Sequence, residues 1–195
     1  MSLLLICGIV GVDLVIVAWA NELESPQYVM VLASVWALGS LVGGAVAGGL
    51  RGRPRLVRRS LAAALGLAVL VPFMPPVVHL STPLWITPLL FLSGVAIAPT
   101  VAAAMGRLGE VSPSDRRAEA FGWLASGMGV GSALAGPMIG ALIDGLGVAG
   151  GAAGAAAVAL LAAGLSVFVP AASPDPDPAA AEPVTGPTAP AVGDS

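Results

Sequence analysis

Long apolar segments separated by short polar loops dominate the first 170 residues of the chain. A helix needs ~20 consecutive apolar residues to cross a bilayer. Six segments meet this requirement, at about residues 3–20, 28–50, 60–79, 84–106, 119–143 and 147–169. The pattern therefore predicts an all-α membrane protein, with a domain of six transmembrane helices over residues 1–170.

The composition changes abruptly at Pro170. The segment 171–195 is rich in Pro, Ala and acidic residues and contains no aromatic residue. Such a segment buries too little apolar surface to fold. We expect it to form a disordered cytoplasmic tail.

Composition supports the membrane assignment. Hydrophobic residues make up 57% of the chain and charged residues 10%, whereas soluble domains carry about 25% charged residues. The lipid bilayer is therefore the expected surrounding, and there is no basic surface for nucleic acid. Cys7 and His79 are the only cysteine and histidine, so no zinc site can be built from the usual ligands. We expect no cofactor.

An intramembrane serine protease is the enzyme class that six spans would suit. It needs a Ser nucleophile and a His base on facing helices. The only histidine, His79, lies at a predicted membrane boundary, and no Gly-x-Ser-Gly sequence or phosphate-binding loop occurs. We expect the protein not to be an enzyme.

The arginines predict the orientation. The loops after the second and fourth spans contain every basic residue of the chain: Arg51, Arg53, Arg55, Arg58, Arg59, Arg107, Arg116 and Arg117. Because basic loops stay inside, both termini are predicted to be cytoplasmic in a multi-pass protein of the cell membrane. Trp19 and Trp85 are expected at the outer interface and Trp123 at the inner one. The first Arg cluster sets orientation and contacts anionic lipid headgroups, or else forms a gating salt bridge with another helix bundle.

Two spans are unusually rich in glycine. The fifth contains Gly127, Gly131, Gly136 and Gly140, with Pro137 between the last two, and the second contains Gly39, Gly43, Gly44 and Gly48. Small residues four apart share one helix face and allow close packing, and proline bends a helix. These spans are predicted to pack tightly and to flex; the alternative is ordinary packing helices. Each is the middle member of a group of three, which is typical of a 3+3 inverted repeat.

Three residues are candidates for transport or coupling. Asp13 lies near the middle of the first span, where an acid costs ~2.5–3.5 kcal/mol on insertion scales. It is interpreted as a proton-coupling carboxylate or a contact for a cationic substrate; the alternative is a protonated acid that supports packing. Trp36 either faces a cavity or fills the core. Thr100, beside Pro99, presents polar groups to a cavity or only accompanies a kink.

The chain resembles the carboxy-terminal six-helix half of a major facilitator superfamily transporter of the bacterial efflux type. The segment Gly39-Ser-Leu-Val-Gly43-Gly44-Ala-Val-Ala-Gly48, followed by an Arg-rich turn, is similar to the eighth helix and next loop of that family. Glu119-Ala-Phe121-Gly-Trp123 resembles the start of the eleventh helix. Gly136-Pro137-Met-Ile-Gly140 is similar to the family's antiporter motif, with Ala141 in place of its final glycine.

The resemblance implies secondary active transport of a small molecule by alternating access, as proton-coupled efflux. It also implies a missing partner, because a full family member binds its substrate between two six-helix halves. The chain is then a carboxy-terminal half or a fragment, and its partner is an amino-terminal half or a second copy. The alternative is a non-transporting membrane subunit or truncated remnant that acts only through helix association.

Overall fold

The computed structural model describes residues 1–49, 56–75 and 83–169, and all of its regular structure is helical. The helices are α1 (Ser2–Glu22), α2 (Gln27–Gly49), α3 (Leu56–Leu70), α4 (Thr87–Val95), α5 (Ile97–Val111) and α6 (Arg117–Ser166). Short 3₁₀ turns follow α3 at Val71–Phe73 and precede α4 at Pro83–Ile86. No described residue lies in a β-strand, which confirms the prediction of an all-α protein.

Among the described residues, five helical segments are long and apolar enough to cross a membrane: Ser2–Glu22, Gln27–Gly49, Leu56–Phe73, Leu84–Val111 and Arg117–Ser166. The fourth segment consists of α4 and α5, which meet at Ala96. Pro99 follows three residues later and has no N–H to donate to the carbonyl of Val95. The break between α4 and α5 therefore has a local cause in the sequence.

The predicted fifth and sixth spans are the two arms of α6. At Gly147 the backbone has φ 74° and ψ −177°, a conformation that is essentially restricted to glycine. A Cβ on Gly154, in the second arm, would lie 3.3 Å from Cδ1 of Ile139 in the first arm. The chain therefore turns back on itself at Gly147, and residues 117–146 and 148–166 form a helical hairpin. Pro137, where a bend was expected, keeps helical angles.

Helix α1 packs between the two arms of this hairpin. Gly131 of the first arm lies against Leu3, and Ile139 lies against Gly11, eight residues further along in each helix. The first arm thus runs parallel to α1. A Cβ on Gly8 would be 3.2 Å from Cβ of Ala159, whereas one on Gly11 would be 3.1 Å from Cβ of Ala155, so the second arm runs antiparallel.

The second arm also anchors the far end of the bundle. Its start donates a backbone hydrogen bond of 2.8 Å from Ala149 N–H to the carbonyl of Pro75, just after α3. At this end, Val148 and Ala149 belong to the main hydrophobic core together with Trp19, Met74 and Ile86. Trp19 is 1% exposed. Its ring fills the space between helices at this end and does not face lipid, while its position at the outer boundary stays a prediction.

The outward faces of the helices are strongly apolar. Met30 and Leu41 of α2 are 74% and 67% exposed. Trp85 and Trp123, two of the tryptophans expected at interfaces, are 79% and 73% exposed. Soluble proteins rarely expose such large contiguous apolar surfaces. These outward faces therefore fit a lipid environment.

Several predictions concern residues outside the described part of the chain. They are the roles of Arg51, Arg53 and Arg55, the boundary position of His79, and the tail 171–195.

Candidate functional site

Asp13 lies halfway along α1 on a face that the rest of the bundle leaves open. Asp13 and Val17, one turn apart, are exposed, whereas the neighbouring Val12, Val15 and Ile16 are buried. The 3.6-residue period explains this division, since residues four apart share a face. The carboxylate therefore projects from the middle of a membrane helix away from its own core.

The position of Asp13 is set by the glycines on the opposite face of α1. A Cβ on Gly8 would lie 3.0 Å from the carbonyl oxygen of Ala155, and one on Gly11 would lie 3.0 Å from Cγ1 of Ile139. Larger side chains at these two positions would push α1 out of the hairpin. Neither glycine was singled out from the sequence, although their spacing of three places both on one helix face.

Trp36 is buried between α2 and α4. It is 7% exposed, and its backbone and ring lie against Gly94. Its indole N–H has no hydrogen-bond partner among the described residues. This placement is what the core-filling interpretation requires, but it leaves one buried donor unsatisfied, which costs ~1–3 kcal/mol. A role of Trp36 in transport stays a prediction.

Thr100 accompanies the break between α4 and α5. It is completely buried, and its hydroxyl donates a hydrogen bond of 2.6 Å to the carbonyl of Ala96. The Thr100 hydroxyl is therefore occupied within its own helix. Its geometry fits the kink interpretation, and a contact with substrate stays a prediction.

The structure does not bring the three transport candidates together. Asp13 is on an open face of α1, Trp36 is in the α2–α4 contact, and Thr100 is inside α5. None of them lines either of the two crevices described below.

The predicted packing glycines fall into two groups. A Cβ on Gly39 would strike the carbonyl of Phe91, one on Gly43 would strike that of Val95, and one on Gly131 would strike that of Leu3. Gly44 and Gly127 make looser contacts, at 3.3 Å from Cβ of Ala98 and 3.6 Å from Oγ of Ser2. At Gly48, Gly136 and Gly140 no atom of the described residues lies within 4 Å of an added Cβ.

The contact between α2 and α4 is reciprocal. Gly39 and Gly43 of α2 lie directly against backbone carbonyls of α4. In return, Gly94 of α4 lies against the carbonyl of Trp36 in α2, which an added Cβ would strike. Such close backbone approach is what small residues permit in membrane helices. The sequence analysis missed Gly94, because a single glycine on α4 has no second glycine one turn away.

The described arginines lie at one end of the bundle. One crevice of about 170 Å³ at this end joins the beginnings of α1, α3 and α6 to the ends of α5 and α6; it is lined by Met1, Ser2, Leu56, Ala104, Arg107, Leu108, Val111, Leu124 and Val169. A second crevice of about 10 Å³ continues it between α1, α5 and the first arm of α6. Arg58 and Arg59 follow Leu56 directly, and Arg116 and Arg117 begin α6.

Two of these arginines make contacts that the sequence does not reveal. Nη1 of Arg59 donates a hydrogen bond of 3.2 Å to the carbonyl of Pro99. Arg107 forms an ion pair of 2.9 Å with Glu110 on the same helix. The described residues contain no group of three or more His, Cys, Asp or Glu that could hold a metal ion.

Comparison with protein families supplies the identity of this helical unit. The model of the Major Facilitator Superfamily matches residues 1–193. Comparison with curated proteins and with solved structures gave no match. The apolar helices, the glycine-mediated contacts and this match together lead to one conclusion: the chain is a multi-pass membrane protein that belongs to the major facilitator superfamily, a family of membrane transporters.

Proposed function

We propose that this chain is the carboxy-terminal half of a secondary transporter that exports a small molecule by alternating access, coupled to protons. The family match supports membrane transport in general. The observation that carries the finer proposal is Asp13, an acid in the middle of α1 on a face left open by the bundle. An amino-terminal six-helix half, or a second copy of the chain, supplies the facing wall.

The physical reason is the cost of an acid in hydrocarbon. A carboxylate at mid-membrane is tolerated when it faces a wet cavity, pairs with another group or is protonated. On the open face of α1 the first two conditions require a second wall. A carboxyl group in such a cavity can take up a proton from one side of the membrane and release it on the other. Asp13 is therefore the proposed coupling residue.

The first arm of α6 supports the same arrangement. Gly129, Gly136 and Gly140 have no described atom within 4 Å of an added Cβ. They leave the helix backbone accessible on faces that the six-helix unit does not use. A helix of the other half can pack closely there, because small residues allow backbones to approach.

The unsatisfied indole of Trp36 fits a protein with more than one conformation. A buried donor without an acceptor is costly. A shift of α2 against α4 during alternating access would bring its N–H to an acceptor or to substrate. In this proposal, Trp36 and Thr100 act at the α4–α5 break.

We place the protein in the cytoplasmic membrane with both termini inside. All eight basic residues belong to the segments 51–59 and 107–117, and the described ones lie at one end of the bundle. The positive-inside rule assigns that end to the cytoplasm.

The second candidate is a membrane subunit that does not transport and acts only through helix association. The burial of Trp36 and Thr100 favours it, because neither side chain is available to a ligand in this conformation. The open glycines of α6 then bind a partner, and Asp13 contributes to that contact.

Transport in proteoliposomes separates the two candidates. The purified chain is reconstituted alone and with the candidate amino-terminal half, with an outward proton gradient and a panel of small labelled solutes. Proton-coupled movement is expected only for the pair or for a proven dimer. Asp13→Asn should abolish coupling while the complex stays intact by size-exclusion chromatography, whereas Asp144→Asn, in the exposed end of the first α6 arm, should change neither. Coupled transport that is unaffected by Asp13→Asn contradicts the assigned role, and assembly without transport supports the second candidate.

A further inference from the structure

The two crevices at the Arg-bearing end lie on the same face of α1 as Asp13. Ser2 and Ile6 line the small crevice, and they precede Asp13 by eleven and seven residues. Because an α-helix has 3.6 residues per turn, positions separated by seven or eleven residues fall on one face. Seven residues correspond to a rise of ~10 Å along the helix. The small crevice therefore points along α1 toward Asp13 and ends about two turns short of it.

The crevices narrow in the direction of Asp13. The large crevice has a volume of about 170 Å³ and the small crevice one of about 10 Å³. Ser2, Ala104 and Leu124 line both, so the two spaces join at these residues. Arg107 lines the large crevice and does not reach the small one. A rim with one charged side chain thus leads into an apolar constriction between α1, α5 and the first arm of α6.

This constriction is too apolar to hold water, and its walls can move. Apart from Ser2, the small crevice is lined by apolar side chains, among them Ile6, Val101, Met105 and Met128. A stable buried water needs a space of ~10–15 Å³ and about two to four polar partners, so the small crevice is dry in this conformation. Methionine side chains are flexible, and apolar constrictions in membrane proteins open and close by wetting. The small crevice therefore has the properties of a closed gate.

We propose that protons reach Asp13 from the cytoplasm through these crevices, and that Ile6, Val101 and Met105 form the gate on this route. The proposal rests on the proposed function, in which Asp13 is the coupling residue. It adds that the proton route lies within this chain, between α1 and α5, and is separate from the cavity that the other half completes. A proton can then exchange at Asp13 while the solute cavity stays closed to the cytoplasm.

Thiol labelling tests the route in the full chain. The Cys7→Ala, Asp13→Cys double variant is reconstituted in phosphatidylcholine nanodiscs, because Cys7 is the only native cysteine. A charged methanethiosulfonate reagent is then added. It reacts with the thiolate, which forms in water, so the labelling rate reports the access of water to position 13. The measurement needs no substrate, no transport and no known orientation, since both faces of a nanodisc meet the reagent.

Two substitutions in the crevices should change this rate in opposite directions. Ile6→Ser puts a polar group into the gate and should raise the labelling rate at position 13 by roughly tenfold or more, because water then enters the constriction. Ala104→Leu fills the junction of the two crevices. Added to Ile6→Ser, it should return the rate to that of the unmodified gate.

Leu161→Ser and Ala102→Leu are the matched controls. Leu161 is exposed on the second arm of α6. It lies at the depth of Ile6, because Gly8 contacts Ala159 and the two helices run antiparallel. Ala102 is an exposed residue of α5 that lines neither crevice. Neither control should change the labelling rate at position 13.

The outcomes separate this route from the proposed function. A labelling rate that Ile6→Ser leaves unchanged, or that Leu161→Ser raises equally, overturns the route. Fast labelling that is insensitive to Ala104→Leu overturns it as well, because water then reaches position 13 from the open face of α1, and the proposed function stays intact. Labelling that follows the gate, in a chain that does not transport with its partner half, supports the route for water and contradicts the proposed function alone.

Discussion

Arg59, in the first turn of α3, reaches across to α5 and donates a hydrogen bond of 3.2 Å to the carbonyl oxygen of Pro99. The two residues are 40 positions apart. The guanidinium is half-buried and joins α3 to the place where the fourth membrane segment breaks. One of the arginines that predicted the orientation therefore also stabilises a specific contact between helices.

Arg59→Ala is expected to destabilise the bundle more than Arg58→Ala. The first substitution leaves the carbonyl of Pro99 without this donor, at a cost of about 1 kcal/mol for a partly exposed hydrogen bond, whereas Arg58 is exposed. Thermal unfolding in detergent measures the difference. Equal unfolding midpoints for the two variants would show that the Arg59 contact does not contribute to stability.

Gly39→Ala and Gly48→Ala form a matched pair on α2. A Cβ at position 39 strikes the backbone of Phe91, while at position 48 no described atom is within 4 Å. Overpacking of this kind costs ~1–3 kcal/mol, and alanine in an open helix position is neutral or better. Thermal unfolding should therefore occur at a lower temperature for Gly39→Ala alone. A normal midpoint for Gly39→Ala contradicts the close contact.

Gly131→Leu should lower the stability of the isolated chain, whereas Gly136→Leu should affect only its assembly with a partner. Gly131 is pressed against the backbone of Leu3, so the leucine should push α1 away from the hairpin and destabilise the isolated chain. Gly136 has open space, and its leucine variant should keep normal stability but assemble poorly with a partner half. Thermal unfolding and co-purification with that half measure the two effects. Loss of stability in both variants would show that Gly136 packs within this chain.

Gly147→Ala should weaken the helical hairpin. The φ of 74° and ψ of −177° at Gly147 are strained for any residue with a Cβ, at a cost of ~1–3 kcal/mol. Gly145→Ala is the control, because Gly145 is helical and open. A lower unfolding midpoint for Gly147→Ala, and not for Gly145→Ala, is the expected result in detergent.

Reporter fusions test the orientation. A reporter enzyme active only in the cytoplasm should be active after Arg59 and after Ser195, and inactive after Glu24. The reason is that the segments 51–59 and 107–117 hold all eight arginines, whereas the connection between α1 and α2, with Glu22 and Glu24, holds none. Activity of the Glu24 fusion would contradict the proposed orientation.

Hydropathy and charge were sufficient to predict the helical membrane fold and the clustering of the described arginines at one end. Both depend on properties summed over many residues, which a single chain reveals directly. The position of the turn between the two arms of α6 could also be predicted, since Asp144 and the adjacent glycines interrupt the apolar pattern just before Gly147.

The contact partners of individual side chains could not be predicted from the sequence. The sequence identifies Gly131 and Gly136 as small residues of a packing helix. Whether another backbone approaches each of them depends on where α1 lies, which the sequence does not show. Trp19 and Trp85 both stand near predicted span ends, yet one is buried in the core and the other is exposed. Gly8, Gly11 and Gly94 escaped notice because their roles depend on helices distant in sequence.

The turn at Gly147 has a consequence for how the protein enters the membrane. The two arms of α6 follow one another without a hydrophilic linker. Both arms are strongly apolar and carry few charged residues, so neither is soluble in water after it leaves the ribosome. In the orientation proposed above, Asp144 is the one charged side chain between residues 120 and 169 that must cross the bilayer with this turn. The two arms can therefore insert together as a hairpin. Helix α1 is synthesised before them, so its Gly8 and Gly11 are in the membrane when the arms pack against them.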